Sequence, residues 1–278
     1  MSVRHLFPAL VLAASLPLLT TTGAAAAGAA DLLPSGGPPH PIGSYANGCI
    51  GGAAPLPPDG PGYQAVNLSR HRTFGHPELV AYVQVLAAQV ATERLGLLLV
   101  GDLAGARGGR LPGMHASHQT GLDVDLWFDL SQPRLPAAAR ERDDFPSMVD
   151  STTRRVDPRR FGPAQIALLK LAATDTRVAR IFVNPAIKLA LCEQVNGDRR
   201  WLHKIRPWFG HAAHFHVRLD CPRDAADCVR QDPVPAGEGC DAELMSWFEP
   251  PKPPATPPRP VEPPPPPAAC RAILGLPG

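Results

Sequence analysis

The stretch LDVDLWFDL, residues 122–130, alternates apolar and polar side chains with the period of two that a half-buried strand requires. Leu122, Val124, Leu126 and Phe128 fall on one face, and Asp123, Asp125 and Trp127 on the other. Two carboxylates therefore share a face. HFHVRLD, residues 214–220, repeats the pattern, with His214, His216 and Arg218 opposite Phe215, Val217 and Leu219. Two strands of this kind can present Asp125 and His216 to one pocket while their apolar faces make the core. The expected fold is α+β: a central, mainly antiparallel sheet forms the floor of a metal-site cleft and is flanked by helices.

Upstream, GHPELVAYVQVLAAQVATERLG (75–96) aligns Leu79, Val80, Val83, Leu86, Ala87 and Val90 and carries Pro77 in its first turn. This predicts a helix of about five turns that Gly96 ends. LLLVGD (97–102), closed by Gly and Asp, reads as a strand, and the Gly-rich GARGGRLPGM (105–114) as a loop leading to the first histidines. Downstream, a polar, Arg-rich connection (131–160) precedes a helix at PAQIALLKLAAT (163–174), a strand at RIFVN (180–184) and a helix opened by Asn184 and Pro185 in NPAIKLALCEQV (184–195). Residues 31–62, dense in Gly and Pro, are expected to form an irregular arm.

The first residues combine a basic start at Arg4, an apolar stretch from Leu6 to Leu19 and an alanine run at Ala25–Ala27. They predict a cleaved signal peptide at 1–27 and export rather than a membrane anchor, because the apolar stretch is short and broken by Pro8, Ser15 and Pro17, and no later segment is apolar for long enough to span a bilayer. The expected compartment is the periplasm. Roughly 250 residues then remain, enough for one sizeable core. Six cysteines, at 49, 192, 221, 228, 240 and 270, without a CxxC pair, predict three disulfides rather than a zinc cluster. Spacing alone leaves fifteen pairings, with Cys221 and Cys228 placed to close a small local loop. Proline dominates from Pro250 to Pro267 and predicts polyproline II; Cys270 beyond it makes the segment a strap rather than a free tail. The expected organisation is one domain at 28–249 and a Pro-rich strap at 250–278 tied back by a disulfide. A formal charge of +2 gives no reason to expect nucleic acid.

Half of the ten histidines fall in HASHQTGLDVD (115–125) and HAAHFH (211–216). A catalytic zinc takes three protein ligands and keeps a position open for water, whose pKa falls to about 7. His118, Asp125 and His216 supply three ligands, and burying three such groups without a metal would be costly. His214 lies on the same face as His216, about 7 Å along the strand, and is the first choice for general base or oxyanion stabiliser. His211 belongs to the cleft wall or assists the reaction, and Asp123 is expected to orient a ligand histidine. His115 is divided between an orienting role and an accessory metal ligand. His40, His71, His76 and His203 are assigned surface or packing roles. Arg107, Arg110 and Arg206 are candidates to meet substrate carboxylates, although a solvated loop face is the commoner use.

SHQTGLDVD, RIFVNPAIK, RPWFGHAAHFHVRL, ELMSWFEPPKP and the proline-rich end together resemble the penicillin-insensitive murein endopeptidases, from about Ser44 through Cys270. The pair H-x6-D and HxH is similar, more widely, to the metallopeptidases grouped around lysostaphin, D-alanyl-D-alanine peptidases and sonic hedgehog, whose fold the resemblance carries over. It implies that His118, Asp125 and His216 bind zinc, that His214 assists catalysis, and that the substrate is the D-alanyl to meso-diaminopimelyl cross-link of peptidoglycan. It implies disulfides Cys49–Cys270, Cys192–Cys240 and Cys221–Cys228. It also implies a second, weaker metal site at His115 with partners in the following connection. Here the chain departs, since 129–160 holds no histidine and offers only carboxylates such as Asp143, Asp144, Asp150 and Asp157.

The expected reaction is attack of a zinc-activated water on the cross-link amide, indifferent to penicillin because no serine is acylated. Ser117 has no GxSxG elbow around it. A D,D-carboxypeptidase or dipeptidase with the same ligands is the nearest alternative. A non-catalytic wall-binding protein and a non-haem iron oxygenase stand further off, the latter because facial triads use His-x-Asp spacing. A homodimer is left open.

Overall fold

The computed structural model describes residues 33–113, 115–250 and 262–277. The predicted signal peptide and residues 251–261 of the proline run lie outside them. The architecture is α+β. A hairpin of β1 (His40–Ser44) and β2 (Asn47–Gly51) precedes a seven-stranded mixed sheet. Its strands are β3 (Asp59–Gly60), β4 (Tyr63–Ala65), β5 (Leu98–Val100), β6 (Asp123–Trp127), β7 (Val178–Val183), β8 (Ile205–Pro207) and β9 (His214–Leu219). They run in the order β8-β7-β9-β6-β5-β4-β3. The β8–β7 and β4–β5 pairs are parallel and the other four neighbours antiparallel, so the sheet is mixed but mainly antiparallel.

Strand parity holds at the centre. In the β6–β9 ladder His214 faces Trp127, His216 faces Asp125 and Arg218 faces Asp123. The alternate residues Val124, Leu126, Phe215 and Val217 are fully buried and join the main core with α1 (Pro77–Thr92), α2 (Pro163–Thr174) and α3 (Pro185–Gln194). Each such side chain stabilises the fold by about 1.5–3 kcal/mol. A slip of one residue would turn the imidazoles into this core and the apolar set outward, so the register is strongly specified.

Helices α2 and α3 match their predicted spans, and the Asn184 side chain caps α3 by accepting from Ala186 N at 3.0 Å. Helix α1 stops at Thr92, short of Gly96. Arg94 takes the left-handed conformation (φ 54°), with Leu95 N donating to Val90 O and Arg94 N to Ala91 O. This is a Schellman closure without glycine at its turning residue. His76 is the N-cap of α1, its Nδ1 accepting from Glu78 N.

The expected irregular arm instead carries paired strand, in the β1–β2 hairpin and β3. Gly43 (φ +80°) faces Gly48 across the hairpin, and a Cβ on Gly43 would lie 2.4 Å from Asn47 O and 2.9 Å from Pro267 Cγ. Its glycines thus serve close approach rather than disorder. The C-terminal segment lies on this hairpin: Asn47 Nδ2 donates to Pro265 O, and Cys49 bonds Cys270 at the start of α4 (Cys270–Ile273). Cys192–Cys240 and Cys221–Cys228 complete the three disulfides. Among the described residues no helix is long and apolar enough to cross a membrane.

Candidate metal centre

The polar faces of β6 and β9 floor a groove of about 590 Å³, walled by the 115–118 loop on one side and by Phe182 and Trp208–His211 on the other. Asp125 is the hub. Its Oδ2 lies 3.5 Å from His118 Nε2 and 3.8 Å from His115 Nδ1, and its Oδ1 lies 3.2 Å from His216 Nδ1 and 3.9 Å from His214 Nε2. The predicted residues are therefore brought together. His211 joins them at the edge, its ring 5.1 Å from that of His214.

The 115–121 loop is placed by two devices. His118 adopts φ +67° and its backbone N donates to Asp123 Oδ2 at 3.0 Å. Gln119 is gripped by the hairpin, since its Oε1 accepts from Gly48 N and its Nε2 donates to Ala46 O. On β9, His216 Nε2 meets Asp123 Oδ1 at 2.9 Å, and Arg218 Nε donates to the same oxygen at 2.7 Å. Asp123 is wholly buried. Burial would push its carboxyl up, but the Arg218 guanidinium and the His216 imidazole outweigh it and hold it well below the usual range. Burial likewise opposes the charge on His216, and Asp123 more than offsets that, raising its pKa. Burial lowers His214 against the opposing Asp125 carboxylate. It pushes His211 down to about 4, with His214 and His216 adding to the effect. The His214 and His211 rings are thus neutral near pH 7, and His211 Nδ1–H donates to Phe209 O at 2.6 Å.

Whether the site suits a metal is tested by its own polar atoms. Both ring nitrogens of His118 and Asp125 Oδ1 are buried without a hydrogen-bond partner. Such atoms are costly to bury unless a cation satisfies them. Separations of 3.2 and 3.5 Å from Asp125 to His216 and His118 also match a tetrahedral edge of about 3.3 Å for zinc bonds of about 2.05 Å. His115 and His214 stand further off. By another measure, donors of His115, His118 and Asp125 lie within 4.8 Å of one another, so two donor sets share the His118–Asp125 edge. We favour the set with His216, because its second nitrogen is held by a carboxylate as metal-bound imidazoles usually are and its contact with Asp125 is shorter.

Sequence reasoning missed Asp102, which closes the strand predicted at 97–102. Its Oδ2 accepts from Arg72 Nη1 at 2.8 Å and lies 3.0 Å from His115 Nε2. The carboxylates suggested for a second metal are engaged elsewhere: Asp143 with Arg70, Asp144 with Arg142, Asp150 with Thr152 N, and Asp157 with Arg159 N. A guanidinium already neutralises the carboxylate beside His115. Two arginines proposed to meet substrate serve other parts, Arg107 binding Leu33 O and Ile273 O and Arg206 binding Glu243. Arg110 is exposed. Arg218 lines the groove instead.

Imidazoles and carboxylates buried in the floor of an open groove are a donor set that suits a metal ion, as in metal-dependent hydrolases. The chain belongs to the penicillin-insensitive murein endopeptidase family, whose model matches residues 41–275. It is 49% identical over 241 residues to the penicillin-insensitive murein endopeptidase of Haemophilus influenzae, covering 87% of this chain and 84% of that one. With the protein of the same name from Klebsiella pneumoniae it shares 48% over 263 residues, 94% and 96% of the two chains. That of Yersinia pestis is 48% identical over 241 residues, 87% of each.

Proposed function

We propose that this protein is a murein endopeptidase that hydrolyses the D-alanyl to meso-diaminopimelyl cross-link amide of peptidoglycan in the periplasm, using one zinc ion held by His118, Asp125 and His216. The observation that carries the reading is the orphaned polar set, His118 Nδ1 and Nε2 with Asp125 Oδ1, buried at the floor of the groove. Zinc bound there supplies Lewis acidity toward the amide carbonyl and lowers the pKa of water toward 7. His214, neutral and on the solvent side of the β9 face, takes and returns the proton or donates to the developing oxyanion. Asp123 fixes the His216 ring, and His211, fastened by Phe209 O, walls the groove. Three disulfides agree with an oxidising compartment.

Metal analysis coupled to digestion of cross-linked muropeptide dimers tests this. The wild type is expected to bind one zinc and release monomers, to lose activity on chelation and to regain it when zinc is returned. His214→Ala should keep the zinc and lose at least about a hundredfold in rate. His216→Ala should lose the metal and His115→Ala keep it; the reverse would assign the metal to His115, His118 and Asp125. Free D-alanine in place of monomers would make the enzyme a carboxypeptidase, and full activity without metal would sink the reading.

A further inference from the structure

Beside the reaction groove lies a second one, of about 340 Å³, which shares Phe209 and Gly210 with it and runs to Ala186 and Arg154. Its lip is a shelf of aromatic rings. Phe209 is 74% and Trp208 49% exposed, and Trp247 packs against both, with ring centroids 4.8 and 6.1 Å away. Apolar rings in water cost free energy, yet the molecule holds these in place from several sides. Trp208 N donates to Val183 O, and Asn184 N and Nδ2 donate to His211 O and Gly210 O. Arg154 Nη1 and Nη2 donate to Phe248 O and Trp247 O, and its guanidinium stands over the Phe248 ring.

We propose that this shelf is a second binding subsite, which stacks the apolar faces of amino sugars and so seats the glycan strand that carries the scissile peptide. The proposal rests on the murein reading above and adds the part of the polymer that the metal centre does not touch. The distance suits it. Steps of 5.4, 5.7 and 6.1 Å lead from the His216 ring through Phe182 and Trp208 to Trp247. Four or five residues of extended peptide, at about 3.5 Å each, span that path. A stem peptide whose cross-link lies at His216 therefore brings its own sugar to the shelf. Sugars offer flat C–H faces edged by hydroxyls, which suit ring faces edged by polar groups such as Arg154 and Ser151.

Two substrates separate the possibilities: cross-linked dimers with their sugars, and the same dimers stripped of sugar by an amidase. For the wild type, the KM of the sugar-bearing dimer should be roughly five- to tenfold lower, and in Trp247→Ala that ratio should fall to about one. A tetramer of N-acetylglucosamine should quench tryptophan fluorescence saturably in the wild type and not in Phe209→Ser, a change at an exposed ring that leaves the core intact. Equal KM values in the wild type, or a ratio that survives in Trp247→Ala, overturn the proposal. An equal rise in KM for both dimers would give the shelf to the peptide, and a fall from dimer to monomer mass in Phe209→Ser would give it to a second copy; either overturns it too. Failure of zinc-loaded wild type to cleave either dimer counts against the murein reading, while the sugar titration still reads the shelf.

Discussion

At the scale of single residues, Asp123 orients the proposed centre from beneath the floor of the groove, wholly buried. One oxygen meets His216 Nε2 and Arg218 Nε, and the other accepts from the backbone N of His118. It thus orients two proposed ligands from opposite strands' ends of the site. The amide in Asp123→Asn keeps the shape but removes the charge that balances Arg218 and turns the His216 ring. Zinc affinity should fall roughly 10- to 100-fold, measured by competition with a chromogenic chelator, and an unchanged affinity would deny Asp123 this role. Strand parity was enough to find Asp123, because it shares a face with Asp125. Asp102 could not be found that way, since it reaches His115 only through the β5–β6 pairing, where Asp125 N donates to Asp102 O. Its one sequence signal was a carboxylate closing a buried apolar run.

Among the elements, α3 carries a burden its sequence conceals. NPAIKLALCEQV reads as a helix, and the structure buries its Lys188 side chain completely. Its Nζ donates to Leu202 O at 2.8 Å and to Glu238 O. Burial, with Arg206 nearby, pushes the ammonium from 10.5 down to about 7. Because the folded pKa lies below the unfolded one, the unfolded chain binds more protons throughout that window, and stability should rise with pH from about 7 toward 10.5. Urea midpoints from pH 7 to 9.5 should therefore climb in the wild type and climb less in Lys188→Met; parallel slopes would refute the assignment. Apolar periodicity made α2, α3, β6 and β9 legible, since each buries one face against one core. The β1–β2 hairpin was not legible, because Gly43 is needed for the close approach of Pro267, 224 residues further along the chain, and Gly48 for that of the opposite strand and Thr120.

For the whole molecule, the returning C-terminus is a brace for the proposed metal centre. Cys49–Cys270 joins residues 221 apart, and both are fully buried beside Ile42. From that bond the chain of support runs through β2 to Gly48 N, to the Gln119 side chain, and so to His118. Cys221–Cys228, by contrast, closes a loop of 7. In the chain-entropy view the first bond stabilises the fold by about 5 kcal/mol and the second by about 2 kcal/mol. The double variants Cys49→Ser/Cys270→Ser and Cys221→Ser/Cys228→Ser should differ accordingly in urea unfolding. They should also differ in a quantity that stability alone does not move: chelator competition, under conditions where both remain folded, should show weaker zinc binding only in the first. Only there does the loop bearing His118 lose the anchor of its hairpin. Equal affinity in the two variants would mean that Asp123, through His118 N, positions the ligand without help from the strap.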